Sequence, residues 1–202
     1  MNQNEILKIF EEKNALLTGH FLLSSGLHSD RYVQCAQVLQ YPAAAEKLAK
    51  ELASNLKSQI SNFKIDLVVS PAMGGVIIGQ EIGRALGVKA IFTERENVVM
   101  TLRRGFKITK GEKAIIVEDV ITTGKSTKEV AEVVKNLGGE IVAAVSLIDR
   151  TGGGANFSFP QISLLKLEIK TYQSNNCPLC KQGSIAVKPG SRGLVSHILP
   201  SE

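Results

Sequence analysis

The sequence predicts an α/β fold, in which a doubly wound parallel sheet is flanked by helices. Two observations point to it. Short apolar runs typical of buried strands alternate with segments of helical periodicity through the middle of the chain. The chain is also of ordinary globular composition, with 202 residues of which 44% are apolar and 21% charged. In such a sheet, ligands bind at the carboxyl ends of the strands.

The predicted elements begin with a polar amphipathic helix over residues 1–13. Residues 19–26 and 31–35 predict two strands joined by a turn, which could pair as a hairpin. A helix is predicted over residues 42–59, with Pro42 in the first turn, where proline is favoured. The chain then alternates: strand 65–69, helix 75–86, strand 89–93, strand 114–117, helix 125–137, strand 140–148 and strand 162–170.

Two segments interrupt or follow this alternation. Residues 93–110 are polar and basic, and they predict either a mobile loop or a β-hairpin. The residues after position 170 predict an irregular tail. There is no internal repeat and no low-complexity linker, so one domain is expected.

Charge and hydropathy limit the classes of partner. The net charge is +5, and basic residues recur at Arg103, Arg104, Lys107, Lys110, Lys113, Lys181, Lys188 and Arg192. No nucleic-acid-binding motif accompanies them, and substrates bearing phosphates and a carboxylate would explain some of this charge. A helix needs about 18 consecutive apolar residues to span a bilayer, and no apolar run in this sequence approaches that length. We expect a cytoplasmic protein without a nucleic-acid or membrane partner.

The chain has three cysteines, which is too few for a disulfide scaffold. Cys177 and Cys180 have the spacing of a metal-binding knuckle, but the sequence shows no second such pair and no nearby pair of histidines. Cys35 and His197 are distant in sequence. We expect a reduced structural turn and no protein-bound metal, with zinc left open as the alternative and a redox role less favoured.

Residues 114–127, AIIVEDVITTGKST, carry the most chemical information. A buried-strand run ends in Glu118 and Asp119, and a turn rich in hydroxyl groups and glycine precedes a helix. Loop amides and the positive end of a helix favour a phosphate, and the two acids could hold sugar hydroxyls or a metal-bound diphosphate. A solvated turn with a helix cap is the alternative. The Walker phosphate loop fits poorly, because only Gly124, Lys125 and Ser126 of its pattern are present.

A second loop, residues 70–75 (SPAMGG), lies between a predicted strand and a predicted helix. Gly74 and Gly75 allow the backbone to come close to a ligand, and amides at a helix start can hold a diphosphate. A tight turn without a ligand is the alternative.

Residues 114–127 resemble the phosphoribosyl-diphosphate (PRPP) motif of the type I phosphoribosyltransferases. Two further segments resemble the orotate members of that family: residues 24–32 (SSGLHSDRY) are similar to their N-terminal hood, and residues 148–153 (IDRTGG) to their Asp-Arg-x-x-Gly segment. The resemblance covers roughly residues 15–180. It implies a single domain over 1–202, with a hood from about 1–40 plus a C-terminal segment, and a core of about 41–170.

The resemblance implies a reaction, a cofactor and an assembly. Orotate and PRPP would give orotidine 5′-monophosphate and pyrophosphate, with Mg²⁺ carried by PRPP and not held by protein ligands. The protein would be a homodimer whose loop reaches into the neighbouring active site. Two rival functions stay open: a purine phosphoribosyltransferase, and a PRPP-sensing regulator that binds nucleic acid.

The resemblance also implies roles for individual residues. Glu118 and Asp119 would hold the ribose hydroxyls, and together with Arg95 they form the catalytic set. The 5′-phosphate would bind at Thr122, Thr123, Gly124, Lys125 and Ser126. Pyrophosphate would bind at Ala72, Met73, Gly74, Gly75 and Arg95. Orotate would bind at Ser25, Gly26, Tyr32, Thr122 and Arg150, where arginine suits a carboxylate because its planar fork can pair with it.

This chain departs from the family pattern on the pyrophosphate side. Several members have a lysine where Gly74 stands, and many have a hood lysine where Ser24 stands. Residues 93–105 contain no lysine and no histidine, so that Arg95, Arg103 and Arg104 are the cations available there. In this respect the chain resembles a shorter-loop branch of the family that also carries the C-terminal CPLC.

Overall fold

The computed structural model describes residues 1–23, 25–60, 64–152 and 155–189. Ser24, Gly153, Arg192 and His197, which entered the sequence predictions, lie outside the described residues. Within those ranges, no helix is long and apolar enough to cross a membrane.

The described chain forms a central six-stranded sheet. Its strands are β3 (Leu67–Pro71), β4 (Lys89–Glu96), β5 (Val99–Leu102), β6 (Lys113–Ile121), β7 (Glu140–Asp149) and β8 (Gln161–Lys166). They lie in the order β5-β4-β3-β6-β7-β8, and all neighbours are parallel except β4 and β5. The predicted fold class is therefore confirmed.

Helices cover both faces of this sheet, as parallel strands require. They are α1 (Gln3–Glu12), α2 (Cys35–Leu39), α3 (Pro42–Gln59), α4 (Gly74–Leu86) and α5 (Lys125–Asn136). Successive residues of β6 point to opposite faces. Ile115 and Val117 pack with α3 and α4, whereas Ile116 packs with Val130 and Val134 of α5.

A second sheet forms the hood. The strands β1 (Leu16–Leu22) and β2 (His28–Val33) form the predicted hairpin, and the short β9 (Thr171–Tyr172) adds to β2. After β9 come a 3₁₀ turn, Ser174–Asn176, and a one-turn helix, α6 (Pro178–Lys181). Val187 then pairs with Phe21 of β1. The segment predicted as an irregular tail is thus partly ordered against the hairpin.

Four strands, β3, β4, β6 and β7, end later than predicted, and two of them, β3 and β6, reach into the ligand-binding loops. β3 continues through Pro71, which is paired with Thr93 at the strand end, and β6 continues through Ile121. Acidic residues are depleted in strands, so the sequence predicts that β6 ends at Val117. The pairing with β7 continues past Glu118, and this ladder holds the acidic pair in an extended backbone.

The segment 93–110 begins as a β-hairpin. β4 and β5 are joined by Asn97 and Val98, both with positive φ (48° and 68°), as a two-residue type I′ turn requires. The hairpin alternative of the sequence prediction is therefore the correct one.

Candidate active site

Asp119 and the 70–75 loop are in direct contact. A Cβ atom added to Gly74 would lie 2.6 Å from Oδ1 of Asp119, and one added to Gly75 would lie 2.8 Å from the carbonyl oxygen of Val117. A side chain at position 74 would require the Asp119 carboxylate to move, and one at position 75 would meet backbone. The start of α4 therefore lies close against the acidic strand. The Ala72–Met73 peptide bond in this loop is cis.

Glu118 is buried at 7% exposure, and its Oε1 accepts a hydrogen bond of 2.9 Å from Oγ1 of Thr127. Burial raises the pKa of Glu118 to about 7; the Thr127 hydrogen bond opposes this shift and the charge of Asp119 adds to it. Thr127 was absent from the predicted site. Its place in the first turn of α5, after the acidic strand, is the signal that could have identified it.

Asp119 lies over a buried thiol. Burial raises the pKa of Asp119, and hydrogen bonds from the backbone amides of Val120 and of Asp119 itself act in the opposite direction. Cys35, at the start of α2, points its Sγ at the carbonyl oxygen of Asp119 at 3.8 Å. Burial, with the charge of Asp119, raises the pKa of Cys35 well above its usual value, so this thiol is neutral packing.

The predicted phosphate loop is open to solvent at the start of α5. Gly124 adopts a left-handed conformation with φ 74°, and a Cβ there would lie 2.8 Å from the ring of Phe157. Thr122, Thr123 and Lys125 are exposed, and Ser126 is partly exposed. Three residues with hydroxyl groups are therefore accessible to solvent next to the first amides of a twelve-residue helix.

Arg150 and Tyr32 come together from distant parts of the chain. The backbone amide of Arg150 donates to the carbonyl oxygen of Ile121 at 2.8 Å, which places Arg150 beside the start of the phosphate loop. Burial raises the pKa of Tyr32, and the nearby guanidinium of Arg150 opposes that rise. Nε of Arg150 is buried and has no hydrogen-bond partner among the described residues. A buried, unpaired guanidinium donor is suited to an anionic ligand.

The other predicted orotate residues lie at the edge of the hood. Ser25 and Gly26 are exposed in the β1–β2 turn, where Gly26 has φ 81° and donates its amide hydrogen to Leu23 at 2.9 Å. The hydroxyl of Tyr32 donates to Oε1 of Gln34 at 2.9 Å.

The arginines of the β4–β5 hairpin have acidic partners. Arg95 forms an ion pair with Glu129 of α5, and its Nη1 donates to the carbonyl oxygen of Val98 at 3.0 Å. Arg103 and Arg104 both lie near Glu94, with Arg104 at 3.0 Å. The structure thus brings Arg95 to the helix that begins at the phosphate loop, rather than to Asp119.

The prediction that no pair of histidines lies near Cys177 and Cys180 is wrong. Cys177 and Cys180 do have a nearby histidine pair: His20 of β1 and His28 of β2 place a ring nitrogen beside the two sulfur atoms, and all four potential ligand atoms lie within 4.8 Å of one another. The signal in the sequence is weak, because two histidines eight residues apart meet only if the hairpin turn lies between them.

The raised pKa of Glu118 predicts a pH-dependent stability. A carboxyl whose pKa rises from 4.5 to about 7 on folding binds a proton more tightly in the folded chain. Its ionisation therefore lowers the free energy of unfolding progressively between those two pH values, by up to about 3 kcal/mol. We expect Glu118→Gln, which keeps an acceptor for Thr127, to raise the melting temperature at pH 8 and to change it little at pH 4.5.

The melting temperatures of the wild-type protein and of Glu118→Gln, measured by thermal unfolding between pH 4.5 and pH 8, test this prediction. Asp66→Asn is the control, because Asp66 is ion-paired with Lys64 next to the opposite end of β3 and has a lowered pKa. A stabilisation of Glu118→Gln that is equal at both pH values contradicts the assigned burial of charge.

Comparison with known proteins agrees with this geometry. Residues 36–179 match the family model described as "Phosphoribosyl transferase domain". This chain, with its PRPP-type strand and loop at the carboxyl edge of a parallel sheet, therefore belongs to the phosphoribosyl transferase domain family.

Similar relatives show which members of this family the chain belongs with. An orotate phosphoribosyltransferase of Caldanaerobacter subterraneus subsp. tengcongensis is 50% identical over 96% of this chain and 100% of its own length. One of Desulforamulus reducens is 53% identical over 95% and 98%. The crystal structure of orotate phosphoribosyltransferase from Aeropyrum pernix superposes with a TM-score of 0.64 at 25% identity, over 81% of this chain and 94% of that one. Within the family, the chain belongs with the orotate phosphoribosyltransferases.

Proposed function

We propose that this protein transfers the 5-phosphoribosyl group of PRPP to orotate, giving orotidine 5′-monophosphate and pyrophosphate, a step in building pyrimidine nucleotides. The proposal depends chiefly on one observation: the acidic strand of PRPP type lies next to the Arg150–Tyr32 pair. The first supplies a site for a phosphorylated ribose, and the second supplies a cation with an unpaired donor for a carboxylate. The names of relatives at about 50% identity support the same reaction.

Each part of the site has a distinct task in this reaction. Loop residues 122–126 hold the 5′-phosphate through amides and hydroxyl groups. Glu118 and Asp119 bind the ribose hydroxyls. As the C1–O bond breaks, positive charge develops on the ribose, and the carboxylate of Asp119 stabilises it. Glu118, with a pKa of about 7, can donate or accept a hydrogen bond near neutral pH.

Mg²⁺ is the proposed cofactor. The ion would be carried by the ribose and diphosphate oxygens of PRPP, beside the ribose hydroxyls that Glu118 and Asp119 would bind. When bound, it supplies positive charge against the leaving diphosphate. The backbone of residues 72–75, at the start of α4, holds the same diphosphate through its amides.

Orotate is an anion through its carboxylate. Its attacking ring nitrogen loses a proton to water or to a pyrophosphate oxygen as the C1–N bond forms, and we assign no side chain as a strong general base. Arg150 orients orotate by pairing with its carboxylate or carbonyl groups, and the hood turn at Ser25 and Gly26 closes over it. The reaction is then accelerated chiefly by positioning and by electrostatic stabilisation.

A homodimer is part of the proposal. The hairpin that carries Arg95 ends in two exposed apolar residues, Val98 at 84% and Val99 at 65% exposure. An open groove of about 540 Å³ between α4 and β4 is lined in part by Val76, Ile77 and Phe92. Exposed apolar groups of this kind favour contact with a second copy, which would bring Arg95 to a neighbouring site.

Free thiols favour a reducing, cytoplasmic location.

The substitution Arg95→Ala tests whether Arg95 binds the diphosphate of PRPP and free pyrophosphate. We expect the affinity for PRPP and for pyrophosphate to fall about tenfold, because one charge-assisted contact is lost, while the affinity for orotidine 5′-monophosphate is unchanged. Initial rates in both directions, with each ligand varied, measure this. Arg31→Ala, at an exposed hood position, is the control. Equal losses for all three ligands would remove Arg95 from this role.

Mixing Arg95→Ala subunits with Asp119→Asn subunits extends this test to the dimer. The mixtures are assayed at PRPP concentrations well below KM, where both parent variants are slow. If the loop of one protomer completes its partner's site, the mixed dimer has one intact site and its activity exceeds the mean of the two parent variants. Activity equal to that mean indicates that each site is built from one chain.

The loss of orotate absorbance on addition of PRPP and Mg²⁺ tests the proposed function directly. Turnover that depends on both substrates supports it. Turnover of a purine base instead of orotate would support the purine alternative. Steeply salt-dependent binding to RNA or DNA without turnover would support the regulator.

A further inference from the structure

We propose that His20, His28, Cys177 and Cys180 form a tetrahedral Zn²⁺ site that ties the hood hairpin to the C-terminal segment. These four side chains lie outside the catalytic site. They come from three places in the chain: β1, the first residue of β2, and the turn of α6. Two thiolates and two imidazoles are a common donor set of structural zinc sites.

The distances fit such a site. Nε2 of His20 lies 3.5 Å from Sγ of Cys177 and 3.8 Å from Sγ of Cys180, and Nδ1 of His28 lies 3.3 Å from Sγ of Cys180. Tetrahedral zinc with ordinary bond lengths separates nitrogen and sulfur ligands by about 3.5 Å. Nε2 of His20 and Nδ1 of His28 are 2.8 Å apart. In a tetrahedral zinc site, two nitrogen ligands are separated by about 3.3 Å. Zinc binding would therefore move the rings apart by about half an ångström.

The tautomer of His20 is fixed for metal binding. Nδ1 of His20 lies 3.1 Å from the carbonyl oxygen of Ser184. A carbonyl can only accept, so Nδ1 carries the proton and Nε2 presents its lone pair to the cluster. A ligating histidine held by a backbone carbonyl through its other nitrogen is the usual outer-shell arrangement of metal sites.

Burial and architecture supply the reason for a metal here. Cys177 is fully buried, and His20 and His28 are 7% and 8% exposed, so these polar groups have little access to water. The hood sheet is small: β9 contributes two residues to it, and Val187 adds a single bridge. Units with so little core are commonly stabilised by a metal or a disulfide. Zinc at this point would fix the hairpin that carries Ser25, Gly26 and Tyr32.

Metal content measured on the purified full-length protein tests the proposal. We expect about one Zn²⁺ per chain by elemental analysis, and a Co²⁺-exchanged protein with the strong visible absorption and sulfur-to-cobalt charge transfer of a tetrahedral thiolate site. Cys177→Ser and Cys180→Ser should reduce the zinc content roughly tenfold or more. Cys35→Ala is the matched control, because Cys35 is a buried cysteine outside the cluster, and it should retain the metal.

A second variant separates loss of metal from loss of folding. Cys180→His keeps a zinc ligand, so the protein should bind Co²⁺ with about half of the sulfur-to-cobalt charge-transfer intensity. Wild-type protein that takes up neither Zn²⁺ nor Co²⁺ overturns the proposal, as does a Cys177–Cys180 disulfide in protein purified without reductant or equal metal loss in Cys35→Ala. All of these measurements are independent of catalytic activity.

Discussion

Asp119→Asn should lower kcat by about 10²- to 10³-fold, the range seen when one preorganised electrostatic group is removed from a transition state. The amide keeps the size of the side chain and its contact with Gly74, but it removes the negative charge that faces the ribose as the C1–O bond breaks. Ground-state binding depends mainly on the phosphate loop. Steady-state kinetics should therefore show a large fall in kcat, with dissociation constants for 5′-phosphate ligands nearly unchanged.

Asp66→Asn is the matched control for this substitution, since it makes the same chemical change next to the other end of the sheet. Its kcat should stay at the wild-type value. Unchanged turnover in Asp119→Asn would remove this carboxylate from the reaction, and an equal loss of phosphate-ligand affinity would mean that the loop had been disturbed instead.

Arg150→Ala should lower kcat/KM for orotate by about 10²-fold. The buried Nε of Arg150 has no hydrogen-bond partner among the described residues. When it pairs with an anion, this unsatisfied donor gains a charge-assisted hydrogen bond, and the alanine variant loses that bond. The KM for PRPP should change little, because Arg150 is linked to the strand before the phosphate loop through its backbone amide, which alanine retains. Arg150→Lys keeps the charge but loses the planar fork, and we expect it to restore only part of the activity.

Arg31→Ala is the control for Arg150→Ala, because Arg31 lies on the exposed face of the same hood strand that carries Tyr32. Losses that are equal for orotate and PRPP would indicate a structural role for Arg150. A wild-type KM for orotate in Arg150→Ala would place orotate elsewhere.

Local sequence patterns were sufficient for much of this fold. Helix α3 begins and ends at the predicted residues, and the start of α5 agrees as well, because proline, glycine and apolar periodicity act within one or two turns. The extension of β6 past Glu118 was missed, since it depends on a ladder with β7 that local propensity does not contain. The order around β9 was missed for the same reason.

Local patterns in the sequence predicted the fold class, the acidic strand with its phosphate loop, and the residues that resemble an orotate site. Which of these groups touch is seen only in the folded chain: Gly74 lies against Asp119, Thr127 bonds to Glu118, Arg95 pairs with Glu129, and Arg150 lies beside Tyr32. Folding also brought Cys177 to His20 across 157 residues. Periodicity and turn chemistry are properties of neighbouring residues, whereas contacts of this range exist only after the sheets have paired and the hood has closed on the C-terminal segment.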